Sequence, residues 1–338
     1  MYSFMNDYSE GAHPRILKAL AEINGEQFEG YGADRISKEA VELIRKLINN
    51  DNADVHFISG GTLTNLTAIS AFLRPHEAVI SASTGHINIH ETGAIEATGH
   101  KIILLESNNG KITAEQVKKA FEAHTDEHMV KPRLVYISNS TEIGTVYKKS
   151  ELEQLGKVCR EFGMLLYVDG ARLGAALCSD ENDISMSDLG RLADSFYIGG
   201  TKNGALLGEA LVICNDMLKE EFRFHIKQKG GLMAKGWVIG LQFAELLKDG
   251  LYFDLAGHSN RMAGKLKEGI ASLGYEFLSK SPTNQIFPIL PNTVIKRLQE
   301  NHMFHIWSKC SDDTSAIRLV TSWAVNEEMI DAFLNDLK

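Results

Sequence analysis

The chain has 338 residues, 44% hydrophobic and 23% charged, the balance of a water-soluble folded protein with room for more than one average domain. A net charge of −9 with no Lys/Arg-rich block excludes a general affinity for nucleic acid or an anionic membrane, and no apolar run reaches the ~18 residues of a membrane span. Cys159, Cys178, Cys214 and Cys310 are scattered without a C-x-x-C pair, which excludes a zinc site or a disulfide frame and fits reduced thiols.

The segment Met1 to Asp7 lacks the basic and apolar regions of a signal peptide, so a cytoplasmic protein is expected. Pro14 opens a helix over 14–23, where its missing N–H costs little. Gly25 to Gly32 reads as a loop, and Ser37 as the N-cap of an amphipathic helix ending near Leu47. Short apolar strands then alternate with helices. Strands are expected at 55–58, 78–80, 101–105, 134–137, 165–168, 195–198 and 210–214, and helices at 62–73, 88–97, 113–123 and 151–162. This alternation implies an α/β fold with a mostly parallel sheet, helices on both faces, and ligands beyond the carboxyl ends of the strands. After about residue 215 the pattern changes to helices at 216–227, 233–248 and 252–272, strands at 285–289, 306–307 and 316–320, and helices at 293–301 and 326–337. That change points to a smaller C-terminal α+β domain, with no repeat or low-complexity linker marking the boundary.

Several residues at predicted strand ends carry chemistry. Asp169 closes an apolar strand, and an unpaired carboxylate is costly to bury there, so it needs a cationic partner. A pyridinium nitrogen supplies one; so does a structural salt bridge to Arg172. Lys202 follows Gly199-Gly-Thr201 at the next strand end; a single lysine in a glycine turn is by itself a weak signal, since most lysines are solvated surface groups, but it also suits a Schiff base with a carbonyl cofactor. Ser59-Gly-Gly-Thr62 joins a strand to a helix. Gly60, Gly61 and Thr62 form either a phosphate cradle at the helix N-terminus or a plain tight turn; no G-K-[S/T] follows, so it is not a P-loop. His86 offers a flat face and a proton carrier near neutral pH, with His90 a weaker alternative. Arg318 sits inside an apolar run and needs an anion, either a substrate carboxylate or an internal ion pair. A glycine cradle, a strand-end acidic residue and a strand-end lysine in this order suit pyridoxal 5'-phosphate.

In their order along the chain, Ser59-Gly-Gly-Thr-Leu-Thr-Asn-Leu66, Gly85-His-Ile-Asn88, His90-Glu-Thr-Gly93, Val168-Asp-Gly-Ala-Arg172, Thr201-Lys202, Lys229-Gly-Gly-Leu-Met233 and Ile317-Arg-Leu-Val320 resemble the low-specificity threonine aldolases. These are pyridoxal phosphate enzymes of the aspartate-aminotransferase-like fold type I, and the resemblance runs from about residue 4 to the end. It implies a mostly parallel seven-stranded sheet between helices, in a large cofactor-binding domain over 1–235, with a small α+β domain over 236–338. It implies Lys202 as the Schiff-base lysine, Asp169 on the pyridine nitrogen, His86 stacked on the ring, and Gly60, Gly61, Thr62 and Thr201 around the cofactor. Arg172 and Arg318 would grip the substrate carboxylate near Asn6. Lys227 or Lys229 would reach a neighbouring subunit's phosphate in a homodimer or homotetramer with active sites at the subunit interface.

There are departures from the family pattern. Asn6 precedes Asp7 where the family usually has serine, and the lysine turn ends in Asn203-Gly204. Glu142 stands where many members have a histidine, so it becomes a candidate base for a β-hydroxyl, alongside an ion-pair role. The expected reaction is cleavage of a β-hydroxy-α-amino acid to glycine and an aldehyde. The alternatives are β-elimination or transamination of another small amino acid, and a non-catalytic scaffold of the same fold. No metal, membrane or nucleic acid is expected as a partner.

Overall fold

The structure, a computed structural model, describes residues 2–338. Its centre is a seven-stranded sheet in the order Asp54–Ile58, Glu209–Ile213, Ser195–Gly199, Leu165–Asp169, Lys131–Ser138, Glu77–Ala82, Ile102–Leu105. All neighbours are parallel except those of Glu209–Ile213, which runs antiparallel to both of its partners. Strands Glu77–Ala82, Leu165–Asp169 and Ser195–Gly199 are buried along their whole length. Their continuous apolar runs follow from helices covering both faces. The parallel register places Ser138 beside Asp169 at the carboxyl edge.

Two of those strand ends touch backbone to backbone. A Cβ at Gly170 would collide with the Tyr197 carbonyl, and one at Gly199 with the Ala171 carbonyl. The two glycines therefore bring the Asp169 strand and the Lys202 turn together.

The C-terminal residues build a second, antiparallel sheet from Ile289–Pro291, Thr314–Val320 and His305–Lys309, with Gln285–Ile286 pairing to the end of the long strand. Helix Leu251–Ser272 bridges the two sheets: Tyr252 and Leu255 lie in the core of the large sheet, while Met262, Leu266 and Ile270 lie in that of the small one. The start of the chain also spans them. Tyr2–Ser3 pairs with His302–Met303, and Phe4 is fully buried beside Phe333.

Some expected elements are corrected. The second helix is Arg35–Ile48, capped by Asp34 and not by Ser37: Asp34 Oδ1 accepts from the Ile36 and Ser37 N–H groups at 3.0 and 2.8 Å. The expected helix at 88–97 is a single turn, His86–Ile89, followed by a reversal through Thr92 and Gly93, both at positive φ. The expected strand at 285–289 divides in two, and the helix at 216–227 is interrupted by Glu221 at a φ of 53°. Short helices Leu173–Leu177 and Met186–Leu192 were not anticipated.

Candidate functional site

Beyond the carboxyl edge lies a cavity of about 580 Å³, bordered by Lys202, Arg172, His86 and Glu142 from the large sheet's side and by Trp307 and Arg318 from the small one. Asp169 closes its strand with the side chain buried. Oδ1 accepts from the Tyr197 hydroxyl at 2.5 Å and the Ala171 N–H at 3.0 Å; Oδ2 accepts from the Tyr136 hydroxyl at 2.6 Å and Asn65 Nδ2 at 2.9 Å. Burial pushes this carboxyl up, but the His86 charge and these donors outweigh it and hold Asp169 below the usual carboxylate value.

Lys202 leaves the Ser195–Gly199 strand through a turn locked by Thr201, whose hydroxyl oxygen accepts the Gly208 N–H at 2.9 Å. Burial, then the Arg172 charge, pushes the lysine amine below its ordinary value, although Asp7, Asp169 and Glu209 pull the other way. Glu209 accepts the Gly200 N–H at 2.9 Å, and burial pushes its carboxyl up to about 7. The amine is thus biased toward its neutral, nucleophilic form.

Helix Gly61–Phe72 starts at Gly60 with no side-chain cap, and Thr62 is exposed. Its free N–H groups and dipole make an anion site. Gly61 is also confined, since a Cβ there would lie 3.2 Å from the Tyr197 hydroxyl.

His86 hydrogen-bonds through Nδ1 to Glu91 Oε1 at 2.8 Å, and its backbone N–H donates to Glu142 Oε1 at 2.9 Å. Glu142 also accepts from Ser138 Oγ at 2.7 Å, and burial pushes its carboxyl up. His90 stands beside His86 with ring centroids 5.4 Å apart.

The two arginines differ. Arg172 grips Asp7 through two bonds, Nε to Oδ2 at 2.7 Å and Nη2 to Oδ1 at 3.0 Å. Among the described residues Arg318 has only the Met5 carbonyl, 3.2 Å from Nη2, and the Trp307 ring, 5.4 Å below its guanidinium carbon. Its buried Nε has no partner among the described residues, and burial with the Arg172 charge pushes it below the usual arginine value. A half-buried guanidinium with an open donor and no carboxylate beside it calls for an anion from outside the chain.

Asn6 turns its amide oxygen to the Tyr8 N–H at 3.0 Å and to Ser9 Oγ at 2.9 Å; the neighbouring Tyr8 borders the cavity instead, and Asp7 pairs with Arg172. Lys227 stands 4.5 Å over the Tyr31 ring, and Gly231, two residues after Lys229, packs against Leu63 in the first turn of the glycine-cradle helix. Sequence reasoning missed Asn65, Glu91, Tyr136, Tyr197 and Glu209. The available signal was the tyrosines: a hydroxyl inside an apolar strand needs a partner.

The donor set fits pyridoxal phosphate. A depressed lysine amine, a flat imidazole and an arginine whose Nε has no partner among the described residues border one cavity, and the same edge of the sheet carries an ionised carboxylate on the next strand and an uncapped helix N-terminus.

Comparison with known proteins agrees. A family model described as beta-eliminating lyase matches residues 6–292. The low specificity L-threonine aldolase of Pseudomonas aeruginosa is 30% identical over 99% of this chain and 96% of its own. A Leishmania major threonine aldolase structure is 50% identical, covers 100% of this chain with 98% of its own, and superposes with a TM-score of 0.99. A Thermus thermophilus aspartate aminotransferase, 15% identical with a TM-score of 0.74 over 99% of this chain and 90% of its own, shares the fold. This chain therefore belongs to the threonine aldolases of the beta-eliminating lyase family.

Proposed function

We propose that the protein cleaves L-threonine, L-allo-threonine and related β-hydroxy-α-amino acids to glycine and an aldehyde, with pyridoxal 5'-phosphate held at Lys202. The observation that carries this reading is one cavity shared by a lysine biased toward its neutral form and an arginine whose Nε lacks a partner among the described residues. Together they provide for an amino group and a carboxylate on one small molecule.

When bound, the cofactor supplies an electron-withdrawing ring that stabilises the carbanion at Cα. The chain's own residues do the rest. Lys202 offers the amine, and Asp169 stays ionised as partner for a ring N–H. The N–H groups at Gly60, Gly61 and Thr62 hold the phosphate, and Thr201 fixes the lysine turn. His86 would hold the ring by stacking on it. Arg318, with Arg172 steadied by Asp7, orients the carboxylate and so selects which Cα bond breaks. His86 or Glu142 takes the β-hydroxyl proton.

The large and small domains are assigned to 1–235 and 236–338, and the protein is taken to act in the cytoplasm as a homodimer or homotetramer with sites at the subunit interface. Phe224, 73% exposed, and Met217, 74% exposed, support an assembling surface, with Lys227 or Lys229 as the cross-subunit phosphate contact.

A second reading, β-elimination, is favoured by the description of the matching family model. The experiment gives L-threonine, L-allo-threonine, L-phenylserine, L-serine and L-cysteine to the cofactor-loaded protein and identifies the products. Glycine with an aldehyde is expected from the first three. Pyruvate with ammonia from serine or cysteine would favour elimination, and a keto acid with a pyridoxamine spectrum would favour transamination. No turnover of any β-hydroxy amino acid overturns the proposal.

A further inference from the structure

Glu91 follows the single-turn helix His86–Ile89, and its side chain is fully buried. The chain turns inward there because Thr92 and Gly93 are left-handed, with φ of 53° and 70°. That conformation is unfavourable for a β-branched residue and is retained only where something over-determines it. Glu91 Oε1 accepts from two donors, Asn65 Nδ2 at 2.7 Å and His86 Nδ1 at 2.8 Å. Because that oxygen is an acceptor, the His86 proton sits on Nδ1, leaving the lone pair on Nε2 of a side chain that borders the cavity. Among the described residues no lysine or arginine pairs with Glu91, and its buried Oε2 has no partner at all. A buried carboxylate in such surroundings is costly unless a cation forms beside it. The cation available is His86 itself.

We propose that Glu91 is a positioning residue: it fixes His86 as the Nδ1–H tautomer and stabilises the imidazolium formed when Nε2 takes the substrate's β-hydroxyl proton. In that step the O–H bond breaks and an Nε2–H bond forms. The freed oxygen pair becomes the second bond of the aldehyde carbonyl, and the Cα–Cβ pair stays with the Cα fragment. Asn65 extends the arrangement, since its Nδ2 also donates to Asp169 Oδ2 at 2.9 Å while its Oδ1 accepts from the Tyr167 hydroxyl at 3.1 Å. One amide thus joins the carboxylate behind the base to the carboxylate at the strand end. The inference rests on the aldol-cleavage reading, in which His86 faces the substrate. Besides Glu91, the groups whose charge reaches His86 are Glu142 and Asp169, which favour its cation, and His90, which opposes it. Lys202, Arg172 and Arg318 border the same cavity and oppose it too.

The test records the imidazole nitrogen spectrum of cofactor-free protein labelled with ¹⁵N-histidine, His86 being assigned by its loss in H86F, and pairs it with kcat of the loaded variants. Wild type is expected as the Nδ1–H tautomer. E91Q keeps that tautomer, but its His86 titrates at lower pH because the negative charge is gone. E91L populates both tautomers and loses kcat on the order of 10²-fold, the scale of a mispositioned general base. In the H86F background E91L adds almost nothing. An unchanged His86 titration in E91Q overturns the proposal even if E91L fails to fold, and so do E91L and H86F losses that multiply. Should wild type cleave no β-hydroxy amino acid, the aldol reading fails, while the tautomer spectra still judge the role of Glu91.

Discussion

Asp7 and Arg172, 165 residues apart in the chain, form a two-pronged ion pair, with Nε–Oδ2 at 2.7 Å and Nη2–Oδ1 at 3.0 Å. Asn284 adds a third donor to Asp7 Oδ2 at 2.9 Å. The pair joins the N-terminal segment, the large sheet and the small sheet at the edge of the cavity. It also makes Arg172 a neutralised arginine, with Arg318 as the guanidinium in want of an anion.

Replacing Asp7 by Asn leaves Arg172 buried without its counter-charge, so D7N is expected to lose about 3–5 kcal/mol of stability in urea unfolding. Burial pushes the Asp7 carboxyl up, but the Arg172 and Lys202 charges prevail and hold it below its ordinary value of 3.8. A depressed carboxylate contributes stability that is present above its unfolded value and is lost as pH falls through its folded value. Wild type should therefore lose stability as pH drops below 3.8, and D7N should lack that component. Equal acid sensitivity in both proteins contradicts this.

Arg318→Met removes a buried Nε donor that has no partner among the described residues, so the cofactor-free variant should be as stable as wild type or more so. Its activity should fall about 10- to 100-fold in kcat/KM, mainly through KM, the scale of one lost charge-assisted contact. A thermal melt and a kinetic titration with L-threonine check both halves. Lower stability with unchanged KM would mean that Arg318 serves the fold.

Tyr197→Phe takes away the 2.5 Å hydrogen bond to Asp169 Oδ1 and should cost about 1–3 kcal/mol. The same hydroxyl crowds Gly61, where a Cβ would stand 3.2 Å from it. Gly61→Ala should thus cost less in the Y197F background than in wild type, by about 0.5 kcal/mol or more. Strict additivity in urea unfolding would show that the two residues do not meet.

Glu209 gives a pH signature of opposite sign. Burial raises its carboxyl from 4.5 to about 7. An acid raised in the folded state contributes stability that is complete below its unfolded value and is lost as pH rises through its folded one. Melting temperatures of cofactor-free protein should decline between pH 4.5 and about 7 for this reason, and E209Q should flatten that part of the curve. A Glu209→Gln profile superimposable on wild type refutes the assignment.

The parts of this architecture that sequence reveals are those written locally. Short apolar runs give the parallel strands, and Asp169 and Lys202 stand out because charged groups seldom end such runs. Gly170 and Gly199 are visible as glycines, but the backbone contact that requires them is not. Asp34 outcompetes Ser37 as a cap because its two oxygens reach two backbone N–H groups and the Ser37 hydroxyl together. The helical reading of 88–97 fails at Thr92 and Gly93, whose left-handed backbone turns Glu91 inward. Tyr136 and Tyr197 look like core residues until the sheet aims both hydroxyls at one carboxylate. Asp7 meets Arg172, 165 residues away, and Glu91 meets Asn65, 26 residues away, only through tertiary contacts, which no spacing rule encodes.

The most direct measurement of the central claim follows L-threonine with cofactor-loaded wild-type and Lys202→Ala protein, quantifying glycine and acetaldehyde together. Equal molar amounts of both from wild type, and neither from K202A at comparable rates, are expected. Wild-type protein that carries the cofactor yet yields pyruvate and ammonia from its substrates, or K202A that turns threonine over as fast as wild type, would contradict the account.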